Sequence, residues 1–398
     1  MKYKSIFKRM LRWLFKSNFF SSLQTSLSLL FITILLLAAS LAASLTTSNN
    51  AYAFPEMVRH RYVNCTACHI SPTGGGILTP YGRELSNEVL STWGREGEGA
   101  FLWGVLQPPA WLALGGDLRT LNMRKVNAPG SQNRFILMQA DFEAAIHLNK
   151  LSIVGTAGIQ DSAIYPDNRF ISRRHYLLWS FTDHLSLRGG RFLQAYGINV
   201  PDHTLFIRQG LGWDQGQETY NLEGSYLGER FNLYVSGIFS RPDIADQSQE
   251  KGASTSVNVA LADKYKIGAS YFYGTSYSAN RNVFGPHLIL GFTPRFFLLS
   301  ELDFQRSFER TAVNPQWGFA NYQRLDYEVV QGLHLFVMQQ FSRLNFGNLA
   351  SQRDGFGTGI QFFPRPHFEL LLQWERRRTL AVSNAYADWI YFMFHFYP

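Results

Sequence analysis

From about residue 110 to the end of the 398-residue chain, apolar and polar positions alternate with a period of two. The stretches FNLYVSGIF (231–239) and KIGASYFYG (266–274) show the pattern. So does ADWIYFMFHFY (387–397), in which Ile390, Phe392, Phe394 and Phe396 share one face. Successive side chains of a strand point to opposite faces, so such a stretch meets apolar surroundings on one side and polar ones on the other. About sixteen segments of this kind begin near residues 110, 132, 150, 172, 184, 216, 229, 251, 264, 282, 295, 321, 333, 353, 366 and 386. Seven connections are tight, around Asn149-Lys150, Thr182-Asp183, Gly228-Glu229, Asp263-Lys264, Thr293-Pro294, Gln331-Gly332 and Pro364-Arg365; the other eight are mostly longer and more polar. The two kinds alternate along the chain. Short turns at one end, long loops at the other and an even count that closes without a free edge predict an all-β fold. It is an outer-membrane β-barrel of about 16 antiparallel strands, with both termini on the periplasmic side.

The aromatic content sharpens this picture. Phe, Tyr and Trp make up 15% of the chain, and many fall near strand ends, where membrane barrels carry interfacial girdles. A soluble sandwich or propeller also alternates, but no fixed-period blade repeat is present, and a soluble sheet does not usually finish on WIYFMFHFYP.

The N-terminus follows other rules. MKYKSIFKRMLRWLFK carries six basic residues and no acid, an apolar run from Leu27 to Leu45 follows, and Ala51-Tyr52-Ala53 ends it. This is the order of a secretory signal peptide, here 1–53; an uncleaved inner-membrane anchor is the other reading, because the run nears spanning length. Export removes those six positive charges from a formal +8 and leaves about +2, so no nucleic-acid partner is indicated.

Between signal and barrel lie residues 54–108, which hold both cysteines of the chain, in Cys65-Thr66-Ala67-Cys68-His69. C-x-x-C-H places two thiols for thioether bonds to haem vinyl groups and an imidazole for the iron. A zinc knuckle would need a fourth ligand, and a thioredoxin-like dithiol a βαβ context that is missing. The expected cofactor is one covalent haem c, held by Cys65, Cys68 and His69. The second axial ligand is open, because no Met lies between His69 and Met123 and no His before His147. It is upstream (Met57, or His60 as first choice, which otherwise serves the basic Arg59-His60-Arg61 run), or donated from the lumen, or absent. Gly74, Gly75 and Gly76 allow tight backbone passage past the haem face. Arg83 is a candidate partner for a haem propionate, the alternative being a solvated arginine in a turn. A segment of about 55 residues is near the lower size limit for folding alone, so it is expected to pack in or under the barrel.

An exported chain with one C-x-x-C-H near its mature N-terminus and a barrel behind it resembles the fused monohaem cytochrome–porins of outer membranes, of which iron oxidases are the best known. Pro55, Cys65, Cys68, His69, Pro72, Leu78, Tyr81, Gly82 and Arg83 carry the residue-level likeness. The approach MVRHRYVN, the added Gly74-Gly75-Gly76 run and the ending ELS depart from the usual pattern. The resemblance implies a redox protein passing electrons between an extracellular donor or acceptor and a periplasmic cytochrome or other soluble carrier. Extracellular Fe²⁺ is one candidate donor, which would make the protein a ferrous-iron oxidase. Two alternatives stand beside it: a solute-conducting porin with a haem-bearing plug or sensor, in which inward Arg173, Arg188 and Arg191 would favour anions, and a barrel sheath for a separate multihaem cytochrome. In sixteen-stranded porins the third external loop folds into the lumen. The corresponding segment here, 194–216, makes His203, Arg208 and Trp213 candidate lumen residues, a plain surface loop being the other reading.

Overall fold

The computed structural model describes residues 55–62, 64–127, 130–161, 169–241, 249–262 and 264–398; the expected signal peptide lies outside them. The strands are β1 (Leu112–Asn127), β2 (Gly130–Leu148), β3 (Leu151–Ile159), β4 (Phe170–Ile171), β5 (His175–Ser180), β6 (Leu185–Phe192), β7 (Thr219–Leu227), β8 (Phe231–Ile238) and β9 (Lys251–Leu261). They continue as β10 (Tyr265–Thr275), β11 (Ala279–Thr293), β12 (Phe296–Glu309), β13 (Gln316–Val330), β14 (Leu333–Arg343), β15 (Gln352–Phe362), β16 (Phe368–Thr379) and β17 (Ala387–Phe396). Each pairs antiparallel with its neighbour in sequence, and β1 pairs with β17, Leu118 opposite Phe396, so the sheet closes on itself. The two-residue β4 touches only the end of β3, which pairs directly with β5; sixteen strands therefore form the wall. Closure satisfies every ladder without an edge, which hydrocarbon demands.

The predicted alternation is what sorts the side chains. Along β14, His334, Phe336, Met338, Gln340 and Ser342 are buried inside while Leu335 and Val337 are exposed outside. In β15 the inward positions are Gly355, Gly357 and Gly359 against outward Phe356 and Ile360, and in β17 Ile390 and Phe392 face out, as the sequence indicated. Leu177, Val235, Ile267, Phe284 and Leu372 continue the same exposed apolar band on other strands. Such a band around a closed wall is a lipid-facing surface.

The seven tight connections all lie at one end, between β2–β3, β5–β6, β7–β8, β9–β10, β11–β12, β13–β14 and β15–β16. Asn149 (φ 56°) and Gly332 (φ 80°) supply the left-handed backbone that two of them require. The opposite end carries eight connections, of which 193–218 is the longest; another, 276–278, is as short as the turns because its strands themselves run on.

Two elements fill the interior. Segment 55–111 covers the turn end: Arg59 reaches Glu328 (2.9 Å), the Asn64 amide nitrogen donates to the Gly228 carbonyl (3.0 Å), and the Thr92 and Trp93 amides donate to the Phe363 and Pro364 carbonyls (2.9 and 3.0 Å). Trp103 stacks on Phe368 and Phe396 at the rim. From the other end, 193–218 folds into the lumen. Its short helix α2 (Phe206–Gln209) and Ile198, Leu205, Leu211 and Trp213 pack on inward Phe272, Ile289, Phe297, Tyr322, Phe336 and Met338. Val58 of the segment joins the same cluster, and the Asn199 amide nitrogen donates to the Thr73 carbonyl (3.1 Å), so the two fillings meet.

Candidate functional site

The C-x-x-C-H stretch forms one helical turn. The Cys68 and His69 amides both donate to the Cys65 carbonyl (3.1 and 2.9 Å), which brings both sulfurs and the imidazole to one side. The chain then doubles back, with the Ile70 amide donating to the Ile77 carbonyl (3.1 Å) and His69 bridged to Leu78. Gly74, Gly75 and Gly76 make this return with φ of 78°, 72° and 69°, a left-handed run that side chains rarely adopt. At Gly74 a Cβ would lie 3.4 Å from Cys65 Sγ and 3.8 Å from the His69 ring, so the return passes directly over the motif.

Helix α1 (Pro80–Leu85) supports the turn from behind. Thr79 caps it, accepting from the Gly82 amide (3.0 Å) while its own hydroxyl donates to the Ala67 carbonyl (3.0 Å). Gly82 is pressed against Cys68 so closely that a Cβ would meet the Cys68 carbonyl oxygen at 2.4 Å. The glycine of Tyr81-Gly82-Arg83 therefore has a packing reason. Tyr81 is half exposed, edge-on to Tyr62.

Motif, return loop, barrel wall and in-folded loop together line a partly open cavity of about 280 Å³, just under the ~300–1,000 Å³ usual for small-molecule sites. Cys65, Cys68 and His69 line it, with Met57, Ile77, Leu85, Phe192, Ile198 and Ile289 as apolar wall and Asp117, Arg119, Arg174, Arg188, Arg208 and Lys266 as charged wall. His69 Nδ1 is sealed from solvent without a well-formed hydrogen bond; what surface the ring retains faces this cavity. Burial holds the His69 pKa down at about 4, against the opposing pull of the nearby Gly76 carbonyl, so the ring is neutral and offers a lone pair. Burial likewise pushes the Cys68 thiol up to about 12. Two thiols and a neutral imidazole on one turn, facing a cavity with apolar and cationic walls, fit a covalently attached haem: Cys65 and Cys68 would hold it and His69 would be its axial ligand.

The remaining expectations fall differently. His60 is buried at the end of the turn Pro55–His60 but does not line the cavity, whereas Met57, the other upstream candidate, does. From the lumen, His287 and His395 also reach it. His287 Nε2 is bonded to Asn258 (2.8 Å), and His395 lies between Asp117 and Glu369 (2.7 Å each). Arg83 is buried away from the cavity, where it donates to the Leu114 carbonyl and lies over the Phe101 ring, 5.2 Å from its centre. Burial lowers its pKa to about 10, so it stays charged. The candidate lumen residues of the long loop are inside: Trp213 packs tilted against Tyr196, Arg208 is buried, and His203 pairs with Asp214 (2.8 Å).

Arg173, Arg188 and Arg191 point inward as the alternation indicated, but each faces a buried carboxylate: Asp141 at 3.0 Å, Glu223 at 2.6 Å and Glu218 at 3.7 Å. Their charges are compensated, so they supply little bias for anions. Arg188 does more: it donates to the Ser71 and Thr73 hydroxyls (2.9 and 3.2 Å) and pins the return loop to the wall. Asp117, Arg119, Lys266, His287 and His395 were not singled out from sequence, although their inward position along alternating strands was the available signal; Arg174, between β4 and β5, carried no such signal.

The fold is a closed β-barrel with an apolar outer band, and it is shared with solved outer-membrane proteins. Solved structures with this fold include a loop-deletion mutant of OmpT from Vibrio cholerae (12% identity, 72% of this chain and 99% of that one, TM-score 0.57). An anion-selective porin from Comamonas acidovorans (9%, 72% and 99%, 0.57) and the outer membrane channel DcaP of Acinetobacter baumannii (11%, 74% and 99%, 0.53) share it too. No protein-family model matches the sequence, and neither does any curated protein.

Proposed function

We propose that the protein is an outer-membrane electron-transfer barrel, in which a haem c on Cys65, Cys68 and His69 passes electrons between an extracellular donor or acceptor and a periplasmic electron carrier docking at the turn end. When bound, the haem supplies a one-electron couple. The residues around it hold it, keep water from it and balance its charge. The observation that carries this reading is that the C-x-x-C-H turn faces a cavity among lumen side chains and does not hang outside on a tether. A hydrocarbon core about 30 Å thick insulates against electron transfer, so a single centre serves a crossing only from within the wall. Fe²⁺ is a candidate external donor: it would leave as Fe³⁺, its electron passing to the periplasmic carrier.

A second reading rests on the porin fold itself and on the polar inner wall. In it the barrel conducts small solutes, and segment 55–111 is a haem-bearing plug at the turn end. One set of measurements separates the two. Full-length protein is stained for covalent haem on a denaturing gel, then placed in liposomes enclosing a redox dye and in planar bilayers. The electron-transfer reading expects a stained band and dye reduction by external Fe²⁺ or dithionite that is lost in Cys65→Ala/Cys68→Ala. An unstained wild type ends both haem-based readings. A stained wild type that reduces the dye no faster than the variant, with porin-sized conductance steps, establishes the second.

A further inference from the structure

We propose that Arg208, carried into the lumen on helix α2, is the counter-charge for a carboxylate of the group bound in the cavity, a haem propionate on the reading above, on which this assignment rests. The guanidinium is buried (6% exposed) and lines the same cavity as Cys65, Cys68 and His69. Its Nη1 donates to the Tyr196 carbonyl at 3.3 Å, while Nε and Nη2 are shut off from solvent with no hydrogen-bond partner. Among the described residues its neighbours in the cavity are matched: Arg119 faces Asp117 (3.1 Å), Arg174 faces Glu143 (3.4 Å) and Arg188 faces Glu223 (2.6 Å). Glu301 and Asp303, buried on β12, both feel the Arg208 charge; they are bonded instead to the Ile198 amide (2.6 Å) and the Tyr196 hydroxyl (2.9 Å), and among the described residues neither hydrogen-bonds Nε or Nη2 of Arg208.

A buried cation is costly unless it is paired and hydrogen-bonded. Nε and one Nη of a guanidinium form the fork that takes a carboxylate through two parallel hydrogen bonds. Those are the two free nitrogens of Arg208. The long loop thereby delivers a planar donor pair to a ligand whose other end is fixed on the segment that enters from the opposite mouth. A lysine at this place would bring the charge without the fork.

The test uses full-length holoprotein carrying Arg208→Gln or Arg208→Lys. Covalent haem is read by gel stain, barrel folding by heat-modifiable mobility, the reduction midpoint by spectroelectrochemical titration and the propionate bending bands by resonance Raman. A cation beside the cofactor favours its reduced form. Arg208→Gln is therefore expected to stain like wild type but to shift the reduced-to-oxidised ratio about tenfold toward oxidised, a fall of ~59 mV for one electron. Its propionate bands should move as well. Arg208→Lys should retain most of the midpoint yet displace the bands. A stained, folded Arg208→Gln with wild-type midpoint and bands overturns the assignment and leaves the haem reading standing. A wild type without stain overturns the haem reading itself. Should Arg208→Gln fail to fold, Arg208→Lys decides: displaced bands support the fork, and unchanged bands refute it.

Discussion

Arg188 is one of the points at which the segment is held to the barrel. Its guanidinium pairs with Glu223 at 2.6 Å, donates to the Ser71 and Thr73 hydroxyls, and lies 3.7 Å from the centre of the Phe192 ring. Arg188→Met removes the charge and every donor while keeping most of the side-chain length. Glu223, 1% exposed, would be left with the Ser236 hydroxyl alone (2.9 Å). Breaking a buried pair by taking one partner costs about 3–5 kcal/mol, most of it the stranded charge. The two hydroxyl bonds to the return loop add about 1 kcal/mol each. Removing both charges, as in Arg188→Met/Glu223→Met, leaves no stranded ion and is expected to cost about 1–2 kcal/mol, chiefly those hydroxyl bonds. The single variants together should therefore exceed the double by at least about 3 kcal/mol of coupling. Denaturant unfolding in detergent micelles, followed by tryptophan fluorescence, measures all four corners of the cycle. Coupling below about 1 kcal/mol would refute the claim that Arg188 and Glu223 form a buried, mutually dependent ion pair, since the charges would then be hydrated or otherwise compensated.

Gly82→Ala puts a Cβ 2.4 Å from a backbone oxygen and 2.8 Å from the Cys68 Cα, neither of which can rotate away. A loss of about 1–3 kcal/mol is expected, together with faster protease cleavage between residues 60 and 85; unchanged cleavage would show that α1 does not brace the motif. In haem-free protein carrying Cys65→Ala, Cys68 is 1% exposed, so a maleimide should label it only after denaturation. Rapid labelling of the folded barrel would contradict the enclosed placement of the motif.

Local chemistry made most of the wall legible. Alternation and turn residues placed the start of each of the sixteen wall strands within five positions, because a closed barrel forces each strand to declare its lipid face. The same alternation showed that Arg173 and Arg188 point inward, but not that Asp141 and Glu223 face them, since those partners sit on other strands and depend on how the wall curves. The motif Cys65–His69 was readable as a unit because its geometry is a single turn. His60 was not: which of His60 and Met57 a short helical turn presents to a cavity depends on how the turn packs, here with Arg59 pressed against Gly291 of β11. The loop 193–218 did carry a signal for its burial in Leu205, Ile207, Leu211 and Trp213, which are too apolar for a surface loop. Glu301 and Asp303 were legible only as polar letters in an apolar strand, and their meaning depends on Tyr196 and Ile198 arriving from the loop (2.9 and 2.6 Å).

The meeting of Thr73 with Asn199 sets a schedule for the making of the molecule. Cys68 is reachable while residues 55–85 are an unpaired thread, and out of reach once the wall has zipped and the long loop has swung in. Any enzyme that must grip this thread to join a cofactor to it acts on the chain before the barrel closes. A cofactor joined to Cys65 and Cys68 would then have to be in place before β17 pairs with β1 and the wall closes over the motif.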